Sequence, residues 1–351
     1  MIQGHGDDSY HFSKPMRLNF SSNVYGRINL SGLWLHLADK LQNTDEKGHN
    51  LLSYYPEPEP FSLETEIARL KGISPSEVLV TNGATEAIYL IAQTFRMMHS
   101  AILQPTFSEY ADACRMHDHR LTQLFRLPTA SEGYQLPPDV RLLWLCNPNN
   151  PTGSTVPSEV LEALFRGNPR VVFVIDGSYD AFTMQTMLTP KQICAYPNVL
   201  LLQSLTKRYA LPGLRLGYVS GNEFLLNELR HRRMPWSVNA LAIEAGMFIC
   251  RHGDFARFDL KQCLNEASML RQLLIDTKCM DVWETQTHFM LCHLKYGTAA
   301  SLKEYLANVH GMLIRDASNF EGLDSHYFRV ASQGNEANQE LVKAIRQWLA
   351  E

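Results

Sequence analysis

One lysine of this chain lies among residues that could hold a phosphorylated aldehyde cofactor. Ser204 and Thr206 place two hydroxyls just before Lys207, and Arg215 follows it eight residues later. An amine in this setting can form an imine, while hydroxyls and a guanidinium bind phosphate. An apolar run over 199–202 leads into the motif, as a buried strand would. The motif therefore predicts that Lys207 forms a Schiff base with pyridoxal 5'-phosphate (PLP).

Three more polar residues follow apolar runs and could bind the ring of the same cofactor. Asp176 comes directly after the run 171–175, where a carboxylate is costly unless it is paired. Facing the pyridine nitrogen, it would keep that nitrogen protonated. Tyr179 and Asn150 could hydrogen-bond to the phenolic oxygen. The alternatives are an aspartate that caps a turn and, for the 147–153 segment, an ordinary turn.

A glycine turn and one aromatic residue complete the predicted cofactor site. Gly83 joins a strand-like run to a long helical pattern, and glycine permits close approach of another chain segment. The backbone N–H groups of Ala84 and Thr85 would lie at a helix N-terminus, which favours phosphate. Phe107 could stack on the pyridine ring, although a core aromatic is the alternative.

Two late arginines predict the substrate-binding side of the site. Arg315 and Arg329 each end or interrupt a strand-like run, where a bare charge is unusual. The guanidinium fork holds carboxylate and phosphate groups by paired hydrogen bonds. The pair therefore suits a substrate that carries both groups, and surface salt bridges are the alternative.

The pattern of the whole chain predicts an α/β protein with a mostly parallel sheet between helices and a smaller α+β domain. Apolar runs bounded by turns alternate with helical segments up to about residue 220. Polar candidates follow several of these runs, where ligands bind in such folds. From about residue 221, long helical stretches precede shorter strand-like runs. Helices are predicted over 84–98, 222–233 and 255–277. We predict a segment at 1–45 that packs with the small domain and forms a substrate lid, a large domain at 46–235 and a small domain at 236–351.

Composition excludes several classes of protein. The chain has 351 residues and a net charge of −4, with no basic run, so nucleic acid is not an expected partner. We expect no signal peptide, and no apolar run is long enough to span a membrane. The seven cysteines are scattered singly, which indicates free thiols in a reducing compartment. We expect a cytoplasmic protein and no metal site.

Together, the motifs resemble the aminotransferase superfamily of fold-type I PLP enzymes, in the branch that contains histidinol-phosphate aminotransferase. The resemblance runs from about His5 to the C-terminus. Within the branch, the sequence is most similar to the L-threonine O-3-phosphate decarboxylases of cobalamin biosynthesis. That similarity is carried by His5-Gly6, the Phe20–Asn23 run, the Met234–Leu241 run and the 313–331 region.

The resemblance implies a role for each candidate residue. Lys207 would be the catalytic Schiff-base lysine. Arg329 would bind the substrate carboxylate, and Arg315 would help to bind its phosphate. Tyr55 would reach across a homodimer interface into the partner's site. The residues implied to contact substrate are His5, Gly6, Asn23, Tyr55, Asn150, Arg315 and Arg329.

The implied reaction is decarboxylation of L-threonine O-3-phosphate to (R)-1-amino-2-propanol O-2-phosphate. Histidinol-phosphate aminotransferase is the main alternative, because the same cofactor shell serves both reactions. A PLP-binding protein without catalysis is a further alternative. The sequence departs from the family at Asp7-Asp8, where Gly-Asn is usual, and at Val24-Tyr25-Gly26, where a turn with proline is usual. These departures lie in the predicted lid and concern the substrate, not the cofactor.

Overall fold

A computed structural model describes residues 9–253 and 256–350 of the chain. The strands of this part are β1 (Leu18–Asn19), β2 (Val78–Thr81), β3 (His99–Leu103), β4 (Arg120–Leu124), β5 (Leu142–Cys146), β6 (Val172–Asp176), β7 (Val199–Ser204), β8 (Gly217–Gly221), β9 (Met280–Val282), β10 (Phe289–Leu294), β11 (Met312–Leu313), β12 (Arg315–Asp316) and β13 (Tyr327–Ala331). The α-helices are α1 (Ser31–Gln42), α2 (Phe61–Lys71), α3 (Gly83–Thr94), α4 (Glu109–Met116), α5 (Ser158–Gly167), α6 (Pro190–Cys194), α7 (Leu205–Arg208), α8 (Glu223–Arg230), α9 (Ala240–Arg251), α10 (Leu260–Ile275), α11 (Ala299–Tyr305) and α12 (Asn335–Trp348).

A seven-stranded sheet forms the centre of the larger part of the molecule. Its strand order is β2-β8-β7-β6-β5-β3-β4, and β8 alone runs antiparallel to its neighbours. Every residue of β2, β5 and β8 is buried, because helices cover both faces of the sheet. The predicted α/β fold with a mostly parallel, mixed sheet is therefore confirmed.

The parallel strands bring several polar residues to one edge of this sheet. Asp176 is the last residue of β6, and its Cα pairs with that of Cys146 at the end of β5. Ser204 ends β7, the next strand in the sheet. Parallel strands end at the same edge, so their sequence-distant ends meet there. This edge forms one wall of the candidate site.

A second sheet supplies the opposite wall. Its order is β12-β13-β10-β9, and all three strand pairs are antiparallel. One face packs against α10, α11 and α12 in a separate apolar core that includes Leu270, Met290, Phe328 and Leu341. Strand β1 pairs with β11, and the neighbouring Phe20 joins the same core. The start of the described chain is therefore tied to the smaller part of the molecule.

Two helices near the predicted domain limits pack on the larger part. In α1, Leu33 and Leu37 share an apolar cluster with Tyr209 and Leu211, which lie within the lysine motif. Helix α9 packs against both α1 and α2. The limits at residues 45 and 235 stay predictions, and this packing places α1 and α9 on the larger part of the molecule.

Several predicted helices are shorter in the structure for local reasons. The helix expected over 84–98 ends at Thr94, and Met97 has a φ of 63°, outside the helical range. The helix expected over 222–233 ends at Arg230. The helix expected over 255–277 begins at Leu260, where the Asp259 side chain accepts from the backbone N–H of Gln262.

In the described ranges, no helix is long and apolar enough to cross a membrane. All seven cysteines carry free thiols, and all but Cys279 are buried. Burial raises the pKa of Cys114 and of Cys194 to about 12. These thiols therefore stay protonated near neutral pH and pack as small apolar side chains.

Candidate active site

A cavity of about 370 Å³ lies between the strand ends of the large sheet and the smaller sheet. It is lined by Asn23, Ala84, Thr85, Ile88, Phe107, Glu109, Tyr110, Cys146, Asn150, Asp176, Ser178, Tyr179, Ser204, Thr206, Lys207, Arg215, Arg315, Phe320 and Arg329. Distant parts of the sequence thus meet around one space.

Lys207 projects into this cavity from the one-turn helix α7. Ser204 caps that turn, because its side chain accepts from the N–H of Thr206 at 3.3 Å. The Lys207 Nζ lies 6.0 Å from the centroid of the Tyr179 ring. Burial lowers the pKa of Lys207 to about 8, and the positive charge of Arg329 acts in the same direction. The neutral amine, which is the nucleophilic form, is therefore accessible near physiological pH.

Asp176 is held in place by two hydrogen bonds. The Tyr110 hydroxyl donates to its Oδ2 at 2.6 Å, and the backbone N–H of Ser178 donates to its Oδ1 at 2.9 Å. Tyr110 is itself fixed by stacking on Trp144, with ring centroids 5.5 Å apart. Burial and the Asp176 charge raise the pKa of Tyr110, so the tyrosine remains a donor. This network fixes the carboxylate on the wall of the cavity.

Tyr179 is held by the segment that follows β1. The Asn23 amide donates to the Tyr179 hydroxyl at 2.5 Å, and Tyr179 packs edge-on against Phe289. Burial raises the pKa of Tyr179, so its hydroxyl keeps its proton. The backbone of Asn23 is fixed in turn, because its carbonyl lies 3.1 Å from the Nε2 of the buried His288.

The side of the cavity near α3 has the features of a phosphate site. Gly83 begins α3 with a φ of 77°, and a Cβ there would lie only 2.9 Å from the Nη2 of Arg215. Glycine therefore lets the guanidinium approach the helix N-terminus, where first-turn N–H groups have no intrahelical acceptor. The hydroxyls of Ser204 and Thr206 line the same cavity. Helix dipole, guanidinium and hydroxyls all favour a bound phosphate.

This set of donors and acceptors fits PLP. An amine of lowered pKa, a fixed carboxylate, a tyrosine hydroxyl and a phosphate cradle surround one cavity. Phe107 lies beside them, at 5.9 Å from Tyr110 between ring centroids and nearly perpendicular to it. The cofactor needs one group of each kind.

The two predicted arginines face each other across the opposite wall. Arg315 on β12 and Arg329 on β13 are paired residues of antiparallel strands, and both are buried. The Arg329 guanidinium donates to the Asn150 side chain and to the Ser21 carbonyl. Arg315 donates to Asn319 Oδ1 at 2.8 Å and lies over the Phe320 ring. Burial, together with the positive charge of Arg315, lowers the pKa of Arg329 to about 10.

Most of the predicted site residues line this cavity, and a few lie elsewhere. Gly83 lies behind Arg215 rather than on the surface of the cavity. Tyr55 is 87% exposed and packs against Trp236, with ring centroids 5.5 Å apart. His5 and Gly6 lie outside the described residues.

Sequence reasoning missed three side chains that matter to the geometry. Tyr110 fixes Asp176, and its only sequence signal is its position one helical turn after Phe107. Phe320 covers Arg315 from a loop in the 313–331 region, which carries the family resemblance but gave Phe320 no predicted role in the site. His288 precedes a core strand, where it reads as an ordinary buried residue.

Comparison with known proteins identifies the family. Residues 16–345 match the model of the family "Aminotransferase class I and II". The threonine-phosphate decarboxylase of Salmonella typhimurium is 30% identical over 309 residues, 83% of this chain and 82% of that protein. The crystal structure of the L-threonine-O-3-phosphate decarboxylase from Porphyromonas gingivalis has a TM-score of 0.88 and 35% identity. The alignment covers 95% of this chain and 100% of the Porphyromonas gingivalis chain.

An aminotransferase is also similar over most of the chain. The histidinol-phosphate aminotransferase of Lactiplantibacillus plantarum is 28% identical over 345 residues, 95% of this chain and 92% of that protein. The chain therefore belongs to the class I and II aminotransferase family, as the motifs predicted. It is a PLP-dependent enzyme with the fold-type I architecture.

Proposed function

We propose that this enzyme decarboxylates L-threonine O-3-phosphate to (R)-1-amino-2-propanol O-2-phosphate and CO2. The observation that carries the proposal is the pair of buried arginines facing each other beside the lysine cavity. Two fixed cations suit a substrate with two anionic groups. Decarboxylases of this kind are among the proteins similar to this chain.

Each residue of the cofactor wall has one part in this proposal. Lys207 binds the cofactor covalently, and Asp176 keeps the pyridine nitrogen protonated. Tyr179 and Asn150 hydrogen-bond to the phenolic oxygen, while Phe107 stacks on the ring. The phosphate is bound by residues on three segments, namely Gly83, Ala84, Thr85, Ser204, Thr206 and Arg215.

On the substrate wall, Arg329 binds the carboxylate and Arg315 binds the phosphate. Both guanidiniums are held in place, since Asn150 and the Ser21 carbonyl accept from Arg329, and the Asp316 carbonyl accepts from Arg315 at 2.7 Å. Arg315 is held by Asn319 from a loop that also carries Phe320. Two guanidiniums held in place would fix both ends of the substrate, which favours reaction at the carboxylate-bearing carbon between them. Asn23, His5 and Gly6 complete the proposed substrate contacts.

When bound, PLP supplies an electron sink for the bond that breaks at the substrate Cα. The carboxylate leaves as CO2, and the electron pair it leaves behind must receive one proton at Cα. Lys207 is the proton donor in this proposal, because its amine borders the cavity and titrates near neutral pH. Arg329 decides the outcome by holding the carboxylate, rather than the hydrogen, in the position from which the bond breaks.

We further propose that the enzyme is a cytoplasmic homodimer in cobalamin biosynthesis. Tyr55 would then enter the partner's site and contact the substrate there. Its side chain is 87% exposed and packs against Trp236, so the two rings form an exposed apolar surface. Tyr54, Phe61 and Met234 in the neighbouring parts of the sequence are exposed as well, as are Trp34 and Leu35 of α1. Burial of this surface against a second copy would account for its apolar character.

Histidinol-phosphate aminotransferase remains the second candidate, because one such enzyme is similar over 95% of this chain. Both substrates carry a phosphate, so Arg315 suits either. Histidinol phosphate has no carboxylate, however, and Arg329 would then serve only the amino-acid partner of the transamination. The two reactions therefore differ in what occupies Arg329.

A paired assay on the PLP-loaded enzyme tests the proposal. One reaction contains L-threonine O-3-phosphate and is followed for CO2, and the other contains histidinol phosphate with 2-oxoglutarate and is followed for glutamate. We expect CO2 without glutamate. Glutamate without CO2 would establish the aminotransferase instead. Bound PLP with neither product would support a protein without catalysis.

A further inference from the structure

A cluster of metal-ligand side chains lies on the smaller sheet, apart from the residues that line the cavity. His293 near the end of β10 faces Asp324 and His326 on the loop before β13. One donor atom from each residue lies within 4.8 Å of the other two. Both imidazoles are directed at the same carboxylate oxygen, Asp324 Oδ1, at 3.9 Å from His293 Nε2 and 3.2 Å from His326 Nδ1. Two imidazoles and one carboxylate are a ligand set found in zinc sites.

The backbone fixes these three residues with respect to one another. The N–H of His326 donates to Asp324 Oδ1 at 2.9 Å, and the N–H of Leu294 donates to the His326 carbonyl at 3.0 Å. The His293 ring packs against Tyr327, with ring centroids 4.6 Å apart. Donor atoms of a tetrahedral zinc site are roughly 3.3 Å apart for bonds of about 2.0–2.1 Å. Side-chain rotations that move the donor atoms by about an ångström would therefore bring them to these distances.

The cluster is open to solvent. All three side chains reach solvent, with exposed fractions of 29% for His293, 61% for Asp324 and 40% for His326. An ion can therefore enter without rearrangement of the core.

The cluster closes one end of a loop whose other part reaches the active site. Residues 317–326 connect β12 to β13, beginning just after Arg315 and ending at His326. Within this loop, Asn319 accepts from Arg315 and Phe320 lines the cavity. Asp324 and His326 lie in this loop, whereas His293 lies in β10. An ion bound to all three residues would therefore join the loop to β10.

We propose that His293, Asp324 and His326 form a binding site for one zinc-like transition-metal dication, which joins the loop 317–326 to strand β10. Imidazole ligands favour zinc, nickel, cobalt or copper over magnesium and calcium, which prefer oxygen. Water would occupy the fourth position of a tetrahedral ion. The sequence predicted no metal site, and the three proposed ligands come from two separated segments. This proposal does not depend on which reaction the enzyme catalyses.

Calorimetric titration of the holoenzyme with Zn²⁺ tests the site. The protein should carry no histidine tag and should first be freed of metal by dialysis against a chelator. We expect one saturable site per chain. His293→Gln and His326→Gln should each weaken it by about 10- to 100-fold or more, since even outer-shell partners of metal ligands contribute that much. His49→Gln is the matched control, because His49 faces a single carboxylate, that of Asp45, at 3.7 Å.

Hydrogen exchange in the same samples tests the connection to the loop. Zn²⁺ should slow amide exchange over 317–326 in the unmodified enzyme and not in His293→Gln. Retained PLP absorbance will establish that each variant is folded, and either histidine variant suffices if the other fails. The proposal is overturned if no saturable binding occurs, or if both histidine variants bind as tightly as the unmodified enzyme. Binding without slower exchange would overturn the part that concerns the loop.

Discussion

The two walls of the cavity are built from different kinds of structure. The cofactor wall consists of strand ends and helix starts of the large sheet, where Asp176, Lys207 and the N-terminus of α3 meet. The opposite wall consists of two paired strands that each contribute an arginine. On the first wall, the Asp176 carboxylate and the Lys207 amine line the same cavity, and the carboxylate accepts from the Tyr110 hydroxyl. On the second wall, two like charges stand opposite each other.

That difference indicates which wall depends more on a bound ligand for its stability. Like charges opposite each other on adjacent strands destabilise a sheet, and burial of each guanidinium adds a desolvation cost. Arg329 nevertheless stays charged at neutral pH, since its pKa falls only to about 10. An anionic substrate would offset this repulsion, so we expect ligands to stabilise the second wall more than the first.

The largest effect is expected from the cofactor wall. Lys207→Ala should remove the absorbance of lysine-bound PLP. It should also lower turnover by about 10²–10⁴-fold or more, the range for loss of a positioned proton-transfer group. Visible absorbance and CO2 release measure the two effects. Retained turnover would contradict the role of Lys207 on this wall.

The next largest effect is expected on the second wall, from loss of the Arg329 guanidinium that is proposed to bind the substrate carboxylate. Arg329→Ala should weaken use of L-threonine O-3-phosphate by about 2–5 kcal/mol, as for truncation of one partner in a buried charge pair. Steady-state kinetics give this as a lower kcat/KM, with PLP absorbance as the control for folding. An unchanged KM would argue against the assignment.

The pH dependence of cofactor capture tests the burial of Lys207. PLP reacts with the neutral amine, whose fraction falls about tenfold for each pH unit below the pKa. With a pKa lowered to about 8, the capture rate of the apoenzyme should rise up to about pH 8 and then level off. Stopped-flow absorbance measures this rate. A rate that still rises towards about pH 10.4, the ordinary lysine pKa, would contradict the effect of burial.

The smallest effect concerns the support of Arg315. Asn319→Ala removes the acceptor at 2.8 Å from the Arg315 guanidinium. It should raise KM for the phosphorylated substrate by about fivefold, equivalent to about 1 kcal/mol for one hydrogen bond. Ser318→Ala, at the exposed neighbouring position, is the matched control and should leave KM unchanged. Equal KM values in the two variants would show that Arg315 needs no support from Asn319.

The two walls also differ in how far the sequence predicted them. Lys207, Asp176 and the Gly83 turn follow buried strands of a parallel sheet, and such strand ends converge by topology alone. Arg315 and Arg329 lie opposite each other because of the register between β12 and β13, which no local sequence pattern specifies. Tyr110 was missed because its partner Asp176 lies 66 residues away. A single chain likewise carries no information about the partner that Tyr55 is proposed to reach.

Inhibition by the product tests most directly the proposal that Arg329 binds the substrate carboxylate and Arg315 binds its phosphate. (R)-1-Amino-2-propanol O-2-phosphate keeps the phosphate of the substrate and lacks its carboxylate. We therefore expect Arg315→Ala to weaken inhibition by this compound and Arg329→Ala to leave it nearly unchanged, although both variants use the substrate poorly. The reverse pattern, with product inhibition lost in Arg329→Ala and kept in Arg315→Ala, would contradict the account of the second wall.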